Sequence, residues 1–210
     1  MIRNLKVLGL AVVAVLALTA LAASSASAAN FVSTDGAAHV TIEGAQEGTH
    51  TFETDPGTVH CKKATFSGTT TKSTTPEVTV TPAYSECTLT SIFGNIAVTV
   101  SMNECDYLFT AGGEVHIVCP AGKTISVSGP GCSITVPGPQ TVSKNTFTNL
   151  GAGTTMDVQV HTEVTGIEYS YSGFTCGSGS GTKNGKYVGK TTITGVNTNL
   201  GHEGITWEAT

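Results

Sequence analysis

Along most of this chain apolar residues recur at every second position. Val78 and Val80 alternate with Thr79 and Thr81, and Ile96, Val98, Val100 and Met102 with Ala97, Thr99 and Ser101. Ile125 and Val127 alternate with Thr124, Ser126 and Ser128, and Met156, Val158 and Val160 with Asp157, Gln159 and His161. A period of two puts alternate side chains on opposite faces of a strand, so the pattern predicts strands with one buried and one wet face, and no helix. Pro130-Gly131, Pro137-Gly138-Pro139 and Asn184-Gly185 break these runs at short intervals. Such punctuation favours antiparallel pairing over a parallel sheet with crossover helices. The expected fold is all-β, an antiparallel β-sandwich or barrel-like domain.

The exception is the start. Arg3 and Lys6 precede an unbroken apolar run from Val7 to Leu21, which ends in the small residues Ala22 to Ala29. That order predicts a secretory signal peptide over residues 1–28, cleaved after Ala28. The competing reading is a retained anchor, since Val7 to Ala23 comes close to the roughly 17 residues that just cross a bilayer. No other stretch is apolar enough to span, so no membrane span is expected after cleavage. The remainder, 29–210, is expected to form a single all-β domain in a secreted or extracellular protein, one that could also associate with the cell surface.

Export changes the meaning of the cysteines. Cys61, Cys87, Cys105, Cys119, Cys132 and Cys176 all lie beyond the signal, and an even number outside the cytosol predicts three disulfides. Cys105-Asp106-Tyr107-Leu108-Phe109 and Glu114-Val115-His116-Ile117-Val118-Cys119 flank Ala111-Gly112-Gly113. A hairpin with that three-residue loop brings Cys105 opposite Cys119. Of the remaining pairings we favour Cys61 with Cys87 and Cys132 with Cys176, which spacing alone does not decide. A zinc site finds no Cys-x-x-Cys or His-x-x-x-His spacing.

Two further hairpins are expected. Asn184-Gly185, between Thr182 and Tyr187, carries the residues a type I′ turn needs. Thr165-Gly166 would join a strand 154–164 to a strand 167–172, placing Glu163 opposite Glu168 beside His161, with Asp157 further along. Like charges facing each other destabilise a sheet unless a cation neutralises them. Asp157, His161, Glu163 and Glu168 are therefore the candidate metal ligands, calcium being the candidate cofactor, or Glu163 and Glu168 a paired-carboxylate acid and base. The bland alternative is the wet face of an edge hairpin. Gly177 to Gly181 is expected as a flexible loop, and Gly68 to Pro76 as a boundary or a mobile loop. Trp207 is expected to anchor the last strand.

The full chain has 10 Lys and Arg against 15 Asp and Glu, and loss of Arg3 and Lys6 leaves 8 against 15, a formal charge of −7. An acidic surface with no basic stripe repels phosphate backbones, which argues against nucleic-acid partners. His39, His50, His60, His116 and His202 are scattered, and no Gly-x-Ser-x-Gly or His-Glu-x-x-His surrounds any of them. The Thr/Gly/Val-rich composition behind a signal peptide resembles that of secreted proteins of high-GC bacteria, a likeness that carries no site residues. The sequence thus points to an exported, non-catalytic binding or structural protein with an extracellular or cell-envelope partner, its loops 67–76 and 177–181 presented by a stapled scaffold. The alternatives are a small secreted hydrolase using carboxylates on the sheet, and a secreted inhibitor or toxin-like module.

Overall fold

A computed structural model describes residues 29–143, 145–196 and 201–209; the predicted export segment 1–28 lies outside them. The described chain is built of antiparallel strands. The first six are β1 (Asn30–Ser33), β2 (Thr41–Gln46), β3 (His50–Thr54), β4 (Gly57–Thr69), β5 (Thr74–Thr75) and β6 (Glu77–Ser91). There follow β7 (Gly94–Ser101), β8 (Asp106–Thr110), β9 (Glu114–Val118), β10 (Thr124–Gly129), β11 (Cys132–Pro137) and β12 (Gln140–Ser143). The last are β13 (Asn145–Leu150), β14 (Asp157–Gly173), β15 (Gly177–Val196), β16 (His202–Glu203) and β17 (Ile205–Glu208). One 3₁₀ turn, Gly153–Thr155, interrupts them.

The pairing closes on itself. β4 pairs with β6, β6 with β7, β7 with β10, and β10 with β11. From there β11 pairs with β14, β14 with β15, β15 with β3, and β3 with β4. These eight strands form a ring without an edge, so of the two expected architectures the structure takes the barrel. Four strands run on beyond the ring. There β6 pairs with β8, β8 with β9 and β9 with β12, while β13 lies on β14 and β2 joins β15 to β4. A separate sheet, β17-β1-β5, packs on that side, inserting Phe31 and Ile205 into the interior.

Two core clusters fill this frame. One, inside the ring, is built round Leu89, Ile134 and Tyr169, each 0 % exposed. The other, built round Val40, Ile42 and Val158, sits where the long strands run on. The period-two reading holds: Val78, Val80, Ile125, Val127, Val158 and Val160 are buried, and Thr79 and Thr81 are exposed. Trp207 is half-buried against Phe147, with its indole N–H on the Ala111 carbonyl at 2.8 Å.

The disulfides are Cys61–Cys87, Cys105–Cys119 and Cys132–Cys176. Cys61 and Cys87 stand directly opposite on β4 and β6. The β8–β9 hairpin has the expected register, with Asp106 opposite Val118, which brings the flanking Cys105 and Cys119 to a Cα separation of 4.1 Å.

Both glycine-based hairpin expectations are corrected. Thr165-Gly166 lies inside β14 and Asn184-Gly185 inside β15, and the two strands pair along almost their whole length. Thr165 faces Lys186 and Ile167 faces Gly185, so Gly166, at φ +81°, is the extra residue of a bulge. The chain actually reverses at Gly173–Gly177. The stretch Gly177 to Gly181, expected as a flexible loop, is the first part of β15.

Candidate functional site

Eight strands give a barrel just wide enough for side chains to fill or for one small ligand. Here the filling is incomplete. A cavity of about 130 Å³ lies in the interior and reaches both core clusters, with Val115, Val127 and Ile167 on one side and Phe66, Phe147 and Val160 on the other. Its wall is largely apolar, with Thr51, Thr162 and Thr191 among the lining residues and Tyr84, Tyr107, Tyr187 and His50 at the waist.

Strand phase puts them there. Tyr84 follows Val78, Val80 and Pro82 on the inner face of β6. Tyr187 is in phase with the buried Gly185, Gly189 and Thr191 of β15, and His50, 2 % exposed, opens β3. All three tyrosines are half-buried and line the cavity. Gly189 has a specific role: a Cβ there would stand 2.9 Å from His50 Nδ1 and 3.0 Å from Cε1 and Cγ, so its bare backbone makes room for the imidazole. Phe66, Tyr84 and Tyr187 surround that ring at centroid distances of 5.9, 6.4 and 5.7 Å.

The polar atoms form one chain. His50 Nε2 lies 2.9 Å from the Lys190 carbonyl, and His50 Nδ1 lies 2.7 Å from Tyr187 Oη. Tyr187 Oη is 3.0 Å from Tyr84 Oη, which is 3.4 Å from Tyr107 Oη. Removal from water disfavours every charged form along it. Burial holds His50 below the usual histidine range against the opposing pull of the Lys190 carbonyl, and pushes the phenols of Tyr84, Tyr107 and Tyr187 well up. The chain is neutral and hydrogen-bonded, the form in which polar groups tolerate an apolar interior.

The four candidate metal ligands lie along β14. Asp157 accepts from His202 Nε2 at 3.1 Å. His161 is exposed, opposite Thr146 on β13 and Lys190 on β15. Glu163 faces Val188 and pairs with Lys186 at 3.2 Å, whereas Glu168 pairs with Lys183 at 3.3 Å. The expected Glu163–Glu168 apposition is thus corrected, because both residues belong to one strand. At about 3.3 Å per residue, Asp157 and Glu163 are roughly 20 Å apart. The cations beside the two glutamates are the protein's own lysines, and the structure does not bring the four residues together. Among the described residues, no group of three or more His, Cys, Asp or Glu gathers to hold a metal ion.

Sequence reasoning passed over His50 as one of several scattered histidines and gave the inward tyrosines no role. The usable signal was phase: an aromatic hydroxyl or imidazole on the buried side of a strand must find a partner inside. Comparison of the chain with protein-family models, curated proteins and solved structures finds no match.

Proposed function

We propose that this protein is a binding protein of the extracellular space or cell envelope that holds one small, largely apolar molecule inside its barrel. The observation that carries the reading is the apolar cavity crossed at its waist by the Tyr–His chain. An unfilled cavity of 130 Å³ costs about 3 kcal/mol of lost packing at the roughly 24 cal/mol per Å³ found for core truncations. A further Leu or Phe in place of one of the lining valines would recover much of that, so the space is retained at the expense of stability. Apolar cavities of similar size take up benzene or xenon. Three disulfides suit an oxidising compartment, and no helix among the described residues is long and apolar enough to cross a membrane.

Benzene and xenon are the direct probes. Benzene at about 100 times its Kd stabilises the fold by about 2.7 kcal/mol, a melting shift of several degrees, and xenon density appears among Phe66, Val127 and Val160 in a pressurised crystal. No melting shift with benzene together with no xenon in the interior would overturn the reading.

A further inference from the structure

Four large apolar side chains stand exposed among the described residues, Ile92 at 93 %, Phe174 at 86 %, Phe93 at 64 % and Val118 at 43 %. Scattered singly, such residues need no explanation. The first three, however, share one end of the barrel. Ile92 and Phe93 are the central residues of the β6–β7 turn, between the paired Ser91 and Gly94, and Phe174 lies in the β14–β15 turn, between the paired Gly173 and Gly177. Thr99 of β7 faces Ser128 of β10, so the β10–β11 turn at Pro130-Gly131 points to the same end as Ile92. Ser133 of β11 faces Ser172 of β14, which brings that turn against Phe174. There the Thr175 N–H donates to the Gly131 carbonyl at 3.0 Å, a Cβ on Gly131 would collide with the Phe174 ring, and the Cys132–Cys176 disulfide ties the two hairpins together. The fold does not ask for apolar residues at these tips. Gly94, at φ +100°, supplies the positive φ of the β6–β7 hairpin, and polar residues at 92 and 93 would serve the turn as well.

Charge is missing from the same end. No Asp, Glu, Lys, Arg or His occurs in 87–103, 124–143 or 169–182, the segments that form these three hairpins. Glu86, Lys123 and Glu168, the nearest charges along them, are six or seven residues from the tips. That is roughly 20 Å along a strand, or about 15 Å along the axis of a barrel whose strands tilt by about 40°. Hydroxyls stand there instead, Thr99, Ser128, Ser133 and Ser172 side by side across β7, β10, β11 and β14. The fourth turn at this end, Thr54–Gly57, carries Asp55, whose carboxylate accepts from Asn184 Nδ2 at 2.5 Å.

We infer that this end of the barrel docks on a zwitterionic lipid surface, with Ile92, Phe93 and Phe174 inserted below the headgroups and the hydroxyl-bearing strands at headgroup level. Three side chains exposed to this degree present roughly 450 Å², about half of the ~800 Å² per partner that a stable protein interface takes. They also stand on separate turns rather than in one flat patch. A fluid bilayer closes round separate points, which a rigid partner or a second copy of the chain does not. The uncharged zone is deeper than the roughly 5–10 Å to which interfacial segments are buried. With no basic residue on the three hairpin segments and an excess of acidic residues in the chain, nothing draws this end to anionic headgroups. Asp55 leaves one side of the mouth polar and tilts the docking face towards the other three turns.

Flotation with phosphatidylcholine vesicles tests it, using the disulfide-intact protein as exported, without residues 1–28, whose apolar run would partition by itself. The native protein is expected to float with the vesicles, to an extent unchanged by about 0.5 M salt and not raised by added phosphatidylglycerol. Phe93→Ser and Phe174→Ser each lower the partition coefficient at least roughly tenfold. Val118→Ser, which removes an exposed apolar side chain away from this end, leaves it unchanged. Phe93→Trp keeps the apolar tip and adds a fluorescence that brominated lipid quenches, while Trp207, at the far end of the molecule, stays unquenched. A native protein that does not float, or floats only with phosphatidylglycerol, overturns the inference. So does flotation that survives the two serine substitutions combined, or an unquenched Phe93→Trp. A lipid-free dimer that the serine substitutions dissociate overturns it in favour of a second copy.

Discussion

His50 carries the sharpest consequence at the scale of single residues. Its folded-state proton affinity is depressed, first by burial, so as the pH falls through about 6.5 the unfolded chain takes up a proton that the folded chain refuses. Its contribution to stability is complete above that pH and is lost as the pH falls towards the folded value. Urea midpoints measured between about pH 7.5 and pH 5 are expected to fall more steeply for the native protein than for His50→Gln. Parallel curves would show that His50 is not buried as described. Glu203 has the opposite sign. It is 3 % exposed, and its hydrogen bond with Asp35, its burial and the charge of Asp35 raise its affinity for a proton, while Asp35 itself is held low. The stabilisation from protonated Glu203 is full below about pH 4.5 and is lost as the pH rises through the folded value. Glu203→Gln keeps a donor at every pH, so its melting temperature at pH 7 is expected to exceed the native one and to vary less across that range. Neither site stands out in the sequence, where His50 lies in Gly-Thr-His-Thr and Glu203 in Gly-His-Glu-Gly. Their environments come from residues more than a hundred positions away, Tyr187 and Lys190 for one and Ser33 for the other.

Elements were more legible, because alternation is local. Strand faces, the β8–β9 hairpin and its disulfide all follow from spacing within a few residues. The failure at Thr165-Gly166 has a local cause. The buried phase does shift there, from Val160 and Val164 to Ile167 and Tyr169, but a two-residue turn and a one-residue bulge produce the same shift, and a glycine with φ > 0 serves either. Only the partner strand decides between them. Asn184 serves the fold by reaching across: it accepts from Tyr169 Oη at 2.8 Å and donates to Asp55 at 2.5 Å, while the Asp55 N–H donates to Tyr169 Oη at 2.7 Å. This triangle ties the β3–β4 turn to the bulged stretch of β14 and β15. Asn184→Ala is expected to cost about 1–3 kcal/mol in a urea melt. Gly166→Ala, forced to φ +81°, should cost about 1–2 kcal/mol. A smaller loss at Asn184 than at an exposed asparagine such as Asn95 would mean the triangle does not hold the bend.

Closure belongs to the whole molecule and is least legible of all. It depends on β15 meeting β3 and β4 meeting β6, and the cavity on a sum of side-chain volumes over all eight strands, which no local window contains. The disulfides bear on closure in a way that can be quantified. They link residues 26, 14 and 44 positions apart in three consecutive loops that do not overlap, so their restrictions on the unfolded chain add to a first approximation. The chain-entropy relation gives about 3 kcal/mol for the shortest loop and about 4 kcal/mol for the longest, or roughly 10 kcal/mol together. That equals much or all of the 5–15 kcal/mol by which domains are ordinarily stable, and this one already carries a cavity. Full reduction is therefore expected to unfold the protein at room temperature, seen as loss of the near-ultraviolet circular dichroism of the buried tyrosines. Replacing Cys132 and Cys176 together by serine should lower stability most among the three pairs, and Cys105 with Cys119 least. A reduced chain that keeps its native near-ultraviolet spectrum would show that the hydrogen-bonded ring holds closed without the bridges. In that case the stability given up at the cavity would have to be recovered within the sheet, in the long β14–β15 and β4–β6 pairings.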